Sequence, residues 1–201
     1  GLGGAEDYRD ARIEIVEELD PHEVVPAQNY VLRAGVERVG ELSAALDTWG
    51  VDPLRMGGGA YIRLADDPST TITLLPPIVE ESAEPDGTTC LLVCDGLHRV
   101  FYAHSHNRPV TALVVRGASH PYYAFPLGGG WGDVDLLDDL PTTYQKKTYR
   151  QPENYKALFR DFNGVFPNVQ GQRRRSNPNT LEPGPSSSHD DDSGPAGQES
   201  R

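Results

Sequence analysis

Leu91-Leu92-Val93-Cys94-Asp95-Gly96-Leu97-His98-Arg99-Val100-Phe101-Tyr102-Ala103 begins as an apolar run, stops at Asp-Gly and resumes with helix-like spacing. That order predicts a strand, a tight turn and a helix N-terminus. The amides of Leu97, His98 and Arg99 then lie in a first turn that offers them no intrahelical acceptors, and the helix dipole adds partial positive charge there. Such a position binds anions. Asp95 is expected to cap the helix, Gly96 to let a ligand approach the backbone, and Arg99 to present a forked guanidinium suited to phosphate oxygens. The expected result is a phosphate cradle made of Asp95, Gly96, Leu97, His98 and Arg99.

Just upstream, Pro77-Ile78-Val79 leads through a short polar hairpin into the Cys90–Cys94 strand, and Ala103 supplies a small residue on the following helix. Together with the D-G-x-H-R box, this run resembles the nucleotide-binding domain of the ParB/sulfiredoxin superfamily, which includes ParB-type CTPases, sulfiredoxins and ParB-like free-serine kinases. The resemblance spans roughly residues 12–117, and residues 77–103 carry it. It implies an α+β fold, a small mixed sheet with packed helices, and ATP or CTP bound with Mg²⁺. Carried onto this chain, it has His98 and Arg99 holding phosphates and Asp95 binding the metal or accepting a proton.

Three departures narrow what the resemblance implies. Sulfiredoxins carry their catalytic cysteine between Gly and His, where this chain has Leu97, which cannot form a sulfur-linked intermediate. Chromosome-partitioning ParB proteins continue into a basic helix-turn-helix, whereas this chain continues into an aromatic and acidic stretch. The kinases use an acidic general base near the first strand, and the matching neighbourhood here is Pro21-His22-Glu23-Val24-Val25-Pro26-Ala27-Gln28-Asn29. Glu23 is the candidate base, while Gln28 can fill the same slot without accepting a proton.

Composition sets the outer bounds. A 201-residue chain that is 37% hydrophobic and ends in a stretch that will not fold is expected to form one domain of roughly 165 residues. The formal charge of −12 argues against broad affinity for nucleic acid or anionic membranes. With no apolar run of membrane-spanning length and no leader-like start, a cytoplasmic protein is expected. Cys90 and Cys94 are the only cysteines. On a strand they share a face about 13 Å apart, too far for a disulfide, and they read as buried, reduced thiols acting as small apolar residues. His98, His104 and His106 suggest a metal centre by spacing, but on one helix they point in different directions.

Elsewhere, Arg12–Val16 alternates and reads as a strand ended by Asp20-Pro21. Val36, Val39, Leu42, Leu46 and Trp49 recur as a helical stripe expected to pack on the sheet. Ala60–Leu64 and Thr70–Leu75 read as a hairpin, Glu84–Gly87 as a second turn, and Val110–Val115 as the strand after the box helix. Gly128-Gly129-Gly130-Trp131-Gly132, followed by Asp133, Asp135, Asp138 and Asp139, reads either as a lid whose Trp covers a ligand or as a surface loop before an acidic helix start. Lys146, Lys147 and Arg150 make a basic patch placed near the phosphate end. Tyr155, Leu158, Phe159, Phe162 and Phe166 follow at helical intervals and favour a docked helix over a stacking surface for nucleic acid.

The chain thus divides into a flexible N-terminus (1–11), a ParB/sulfiredoxin-like nucleotide-binding domain (12–117), an aromatic and acidic loop with a C-terminal helix packed on the domain (118–170), and a disordered tail (171–201). Two functions stay open. One is a nucleotide-dependent phosphotransferase or NTPase acting on a small-molecule acceptor, with Asp95, His98 and Glu23 as catalytic candidates and Asp95 as the metal ligand. The other is a regulatory module that binds nucleotide or a protein partner without turnover, the tail being one place for such a contact.

Overall fold

The computed structural model describes Tyr8 and residues 10–63, 71–142 and 145–154. The helical intervals from Tyr155 to Phe166 and the tail lie outside these residues. The fold is α+β. Nine strands are present among the described residues: β1 (Arg12–Leu19), β2 (Val24–Pro26), β3 (Tyr30–Leu32), β4 (Ala60–Arg63), β5 (Thr71–Leu74), β6 (Ile78–Ala83), β7 (Thr89–Asp95), β8 (Val110–Arg116) and β9 (Asp135–Leu137). Two helices accompany them, α1 (Arg33–Asp47) and α2 (Leu97–Ser105).

The main sheet is mixed, in the order β1-β8-β6-β7-β2. β6 and β7 form the expected hairpin around Glu84–Gly87, with Gly87 N donating to the Glu84 carbonyl at 2.9 Å. β8 does not lie beside β7 after the helix. It passes beyond β6 and runs parallel to it, Ile78 facing Leu113, so the strand-helix-strand unit straddles an intervening strand.

Period-two alternation assigns the two faces of the sheet. Leu91 and Val93 of β7 join Val79, Val110, Ala112 and Val114 under α2, whose Leu97, Val100 and Ala103 are buried in the same cluster. Cys90, Leu92 and Cys94 point to the other face, where Tyr122, Tyr123, Ala124 and Tyr149 cover them. Neither cysteine is in a disulfide, and both are half-buried rather than fully buried. Burial raises the Cys90 thiol above its ordinary pKa.

The second face also holds charge. Glu80 is fully buried and accepts from the Tyr8 hydroxyl. Lys147 is buried too, its Nζ donating to the Tyr122 and Tyr123 hydroxyls at 2.8 and 3.0 Å while lying over both rings. Buried charges persist only when partners replace water.

Several expectations from the sequence need correction here. The apolar stripe of α1 reaches the main-sheet core only in part, through Val39 and the partly buried Val36, which join the cluster of Val79, Val110 and Val114. Val39 is its one buried residue, the helix packs on α2 and β3, and Trp49 at the end of the stripe is 79% exposed. The acidic helix start after the Gly-rich run is absent as well. Gly130–Asp133 forms a single 3-10 turn, and Asp135–Leu137 then pairs in parallel with β3. The β4–β5 hairpin forms between Ala60–Arg63 and Thr71–Leu74. No helix among the described residues is long and apolar enough to cross a membrane.

Candidate phosphate-binding site

β7 ends at Asp95, Gly96 makes the turn and α2 starts at Leu97, the strand, turn and helix that the sequence predicts. The turn requires glycine. Gly96 sits at φ 80°, in the left-handed region, and a Cβ on it would come within 3.0 Å of the Pro77 Cα, a backbone atom that cannot yield cheaply.

The expected cap is not made by Asp95. Gly96 is the N-cap residue, no side chain bonds to the first turn of α2, and Asp95 is exposed at the strand end. The Arg99 amide, expected to be open, donates to the Gly96 carbonyl at 2.9 Å; the Leu97 and His98 amides have no side-chain cap, which leaves them to a ligand or to water.

Arg99 bends back toward that helix start. Its Nη2 would lie 3.3 Å from a Cβ on Gly96, and its Nη1 is buried with no hydrogen-bond partner. Burial lowers the guanidinium to a pKa of about 10, with Asp95 pulling it part of the way back up. It remains a cation at neutral pH, and a buried donor without an acceptor costs roughly 1–3 kcal/mol until one arrives.

His98 is half-buried and faces the start of α1. Its Nε2 accepts from the Leu32 backbone N–H at 3.2 Å, and a Cβ on Gly35 would fall 2.5 Å from its ring. Burial lowers its pKa, and the positive charges of Lys146 and Arg38 lower it further. Of the basic patch, only Lys146 is felt at the box. Lys147 is buried among tyrosines, and Arg150 pairs with Glu84 while stacking on Phe125 4.3 Å away.

Glu23 is not brought to the box. Val24 pairs with Leu91, so Glu23 is level with Cys90 at the far end of β7. At the usual rise per residue this is about 16 Å short of Asp95. Gln28 lies beyond the end of β2 and of its pairing with β7, and its Nε2 donates to the Tyr30 carbonyl at 2.5 Å.

The lid reading of the Gly-rich run fails on the position of Trp131. Its Nε1 donates to the Pro21 carbonyl at 2.8 Å and its ring stacks on His104 at 5.0 Å, beside the later turns of α2 rather than over the box. His98 and His104 of α2 and His106 just after it likewise part company. His104 meets Trp131 and His22, His106 stacks on Tyr102 at 4.0 Å, and His98 faces α1. Among the described residues no group of three or more His, Cys, Asp or Glu side chains could hold a metal ion.

Gly35 belongs to this neighbourhood although the sequence reading did not place it there. A glycine within the first turn of a helix, where it costs stability relative to alanine, was the available signal for Gly35.

With this geometry in place, comparison with known families gives one result. The family model of the ParB CE domain matches residues 4–135, more than half of the chain. The chain belongs to the ParB CE domain family. No curated protein and no solved structure matches it. The ParB CE match spans the box, both helices and the main sheet, and it runs on through the Gly-rich segment to the first residue of β9.

Proposed function

We propose that this ParB-like domain binds a nucleoside triphosphate, ATP or CTP, with its phosphates seated at the start of α2 on the backbone of Gly96, Leu97 and His98 and on the Arg99 guanidinium. One observation carries the reading: a buried, partnerless Arg99 Nη1 folded back beside an uncapped helix N-terminus. Cation, open amides and dipole all favour the same oxyanion. Asp95, exposed at the strand end, is the residue that would hold Mg²⁺ against the phosphates. One or two carboxylates plus phosphate oxygens suffice for Mg²⁺. Phosphoryl transfer or hydrolysis would then proceed mainly by positioning and charge stabilisation.

A second reading, nucleotide binding without turnover, has its own support: Glu23, the candidate base, lies at the opposite end of β2 from the box. Thermal shift of the protein with ATP and CTP, each with Mg²⁺, tests binding, and phosphate release on any hit tests turnover. A stabilising nucleotide together with phosphate release that Asp95→Asn abolishes supports the enzyme. Binding with no phosphate released or transferred selects the regulatory module, and no shift with either nucleotide rejects the cradle.

A further inference from the structure

We propose that His98 is a positioning residue rather than a phosphate ligand: a neutral imidazole that ties the start of α1 to the start of α2 and so sets the orientation of the cradle. The inference rests on the nucleotide-binding reading of that cradle. Nε2 accepts the Leu32 N–H at 3.2 Å, and an accepting ring nitrogen carries no proton, so the ring proton sits on Nδ1. Leu32 immediately precedes α1, whose first turn has no side-chain cap. The bond therefore satisfies an amide at the start of α1 with a side chain from the first turn of α2.

Gly35 makes the approach possible. A Cβ there would lie 2.5 Å from both Cδ2 and Nε2, so any side chain at position 35 displaces the ring. The charged groups acting on the imidazole are Lys146 from the segment beyond β9 and Arg38 from α1, and both oppose its protonation. Once protonated, Nε2 becomes a donor facing the Leu32 donor, and the tie is lost. A histidine that held phosphate directly would behave in the opposite way, because its positive charge would strengthen the contact. The sign of the pH response separates the two roles.

The test uses the full chain. In the ligand-free protein, ¹⁵N NMR reads the protonation of the His98 nitrogens and hydrogen exchange reads the Leu32 amide. Affinities for ATP and CTP with Mg²⁺ are then compared between about pH 7.5 and 5.5 for wild type, His98→Gln and Gly35→Ala, a range that spans histidine titration. The expected result is an unprotonated Nε2 at the upper pH and a Leu32 amide that loses protection as His98 titrates. Wild-type affinity should fall about tenfold over this range relative to His98→Gln, whose amide oxygen keeps the Leu32 bond at either pH. Gly35→Ala should be weak throughout.

A protonated Nε2 or an unprotected Leu32 amide at the upper pH overturns the tie without reference to any nucleotide. Wild-type binding that strengthens on acidification, with His98→Gln crippled at the upper pH, overturns positioning in favour of direct contact. Failure of both nucleotides to bind while the Leu32 amide behaves as expected overturns the cradle, and with it the positioning role. That outcome leaves His98 as a residue of the fold alone.

Discussion

Arg99 is stored in a costly state, because its Nη1 is buried without a partner and burial has lowered its pKa to about 10. A ligand oxyanion would satisfy the donor and restore the charge preference together. Arg99→Ala is accordingly expected to weaken nucleotide binding by about 1.5–3 kcal/mol, the range for a hydrogen bond to a charged group. The melting temperature of the free protein should stay level or rise, since the truncation removes an unsatisfied group. Titration calorimetry and a thermal melt on the same variant check both halves, and a folded variant with unchanged affinity would sink the cradle.

His98 and His104 carry the pH dependence of the fold at this same scale. Both pKa values are lowered, in each case first by burial, with Lys146 and Arg38 acting further on His98 and His22 on His104. The unfolded chain therefore takes up these protons before the native state does. Stability should fall as the pH drops below the ordinary histidine value of 6.5 and stop falling from this source once the native rings are protonated. The lowered carboxylates Glu14 and Asp86, held down chiefly by Arg116 and Thr88, contribute at lower pH, below their ordinary values of 4.5 and 3.8. The melting temperature of wild type should fall relative to that of a His98→Gln/His104→Gln double variant as the pH drops below 6.5, and the two should run parallel above it.

Among the elements, the β7–α2 turn is the most demanding. Gly96→Ala meets both a left-handed φ of 80° and the Pro77 backbone at 3.0 Å. A left-handed non-glycine residue alone costs about 1–2 kcal/mol, and the contact adds to it. A loss of roughly 2–3 kcal/mol in denaturant unfolding is expected, whereas a neutral Gly96→Ala would mean that the turn is not held as described. The turn at 130–133 behaves differently, for the Trp131 side chain ties it to the Pro21 carbonyl and to α2. Trp131 makes the bond to the Pro21 carbonyl and the contacts with His104 and Phe101, and its replacement by alanine should loosen the β3–β9 pairing before the main sheet, visible as faster exchange of amides in 30–32 and 135–137.

At the scale of the whole molecule, the segment beyond β8 is part of the core. Tyr122, Tyr123, Ala124 and Tyr149 cover Leu92 and the two cysteines, and Leu127 N donates to the Pro26 carbonyl at 2.9 Å. A fragment ending at residue 117 should therefore expose an apolar sheet face and bind hydrophobic dye, whereas deletion of 176–201 should leave the melting temperature unchanged because its composition builds no core. Dye binding and melting curves of the two truncations decide this. The resemblance read from residues 77–103 gave no hint of the cover, since a sequence motif records the local strand and turn and not what packs behind them.

What the sequence determined by itself was the local syntax: the box with its strand, turn and helix, the β6–β7 hairpin at Glu84–Gly87, the β4–β5 pairing and the shared face of Cys90 and Cys94. Each follows from period-two or helical spacing and turn residues only a few positions apart, where chain connectivity fixes the partners. Only the tertiary structure decided that β8 skips past β6, that β3 pairs with β9, that Trp131 rests on His104, that Glu23 stands away from Asp95 and that His98 meets Leu32 across 66 positions. Those contacts join segments far apart in the chain, and their selection depends on which faces can be buried together, a property of the whole packed core that no single stretch encodes.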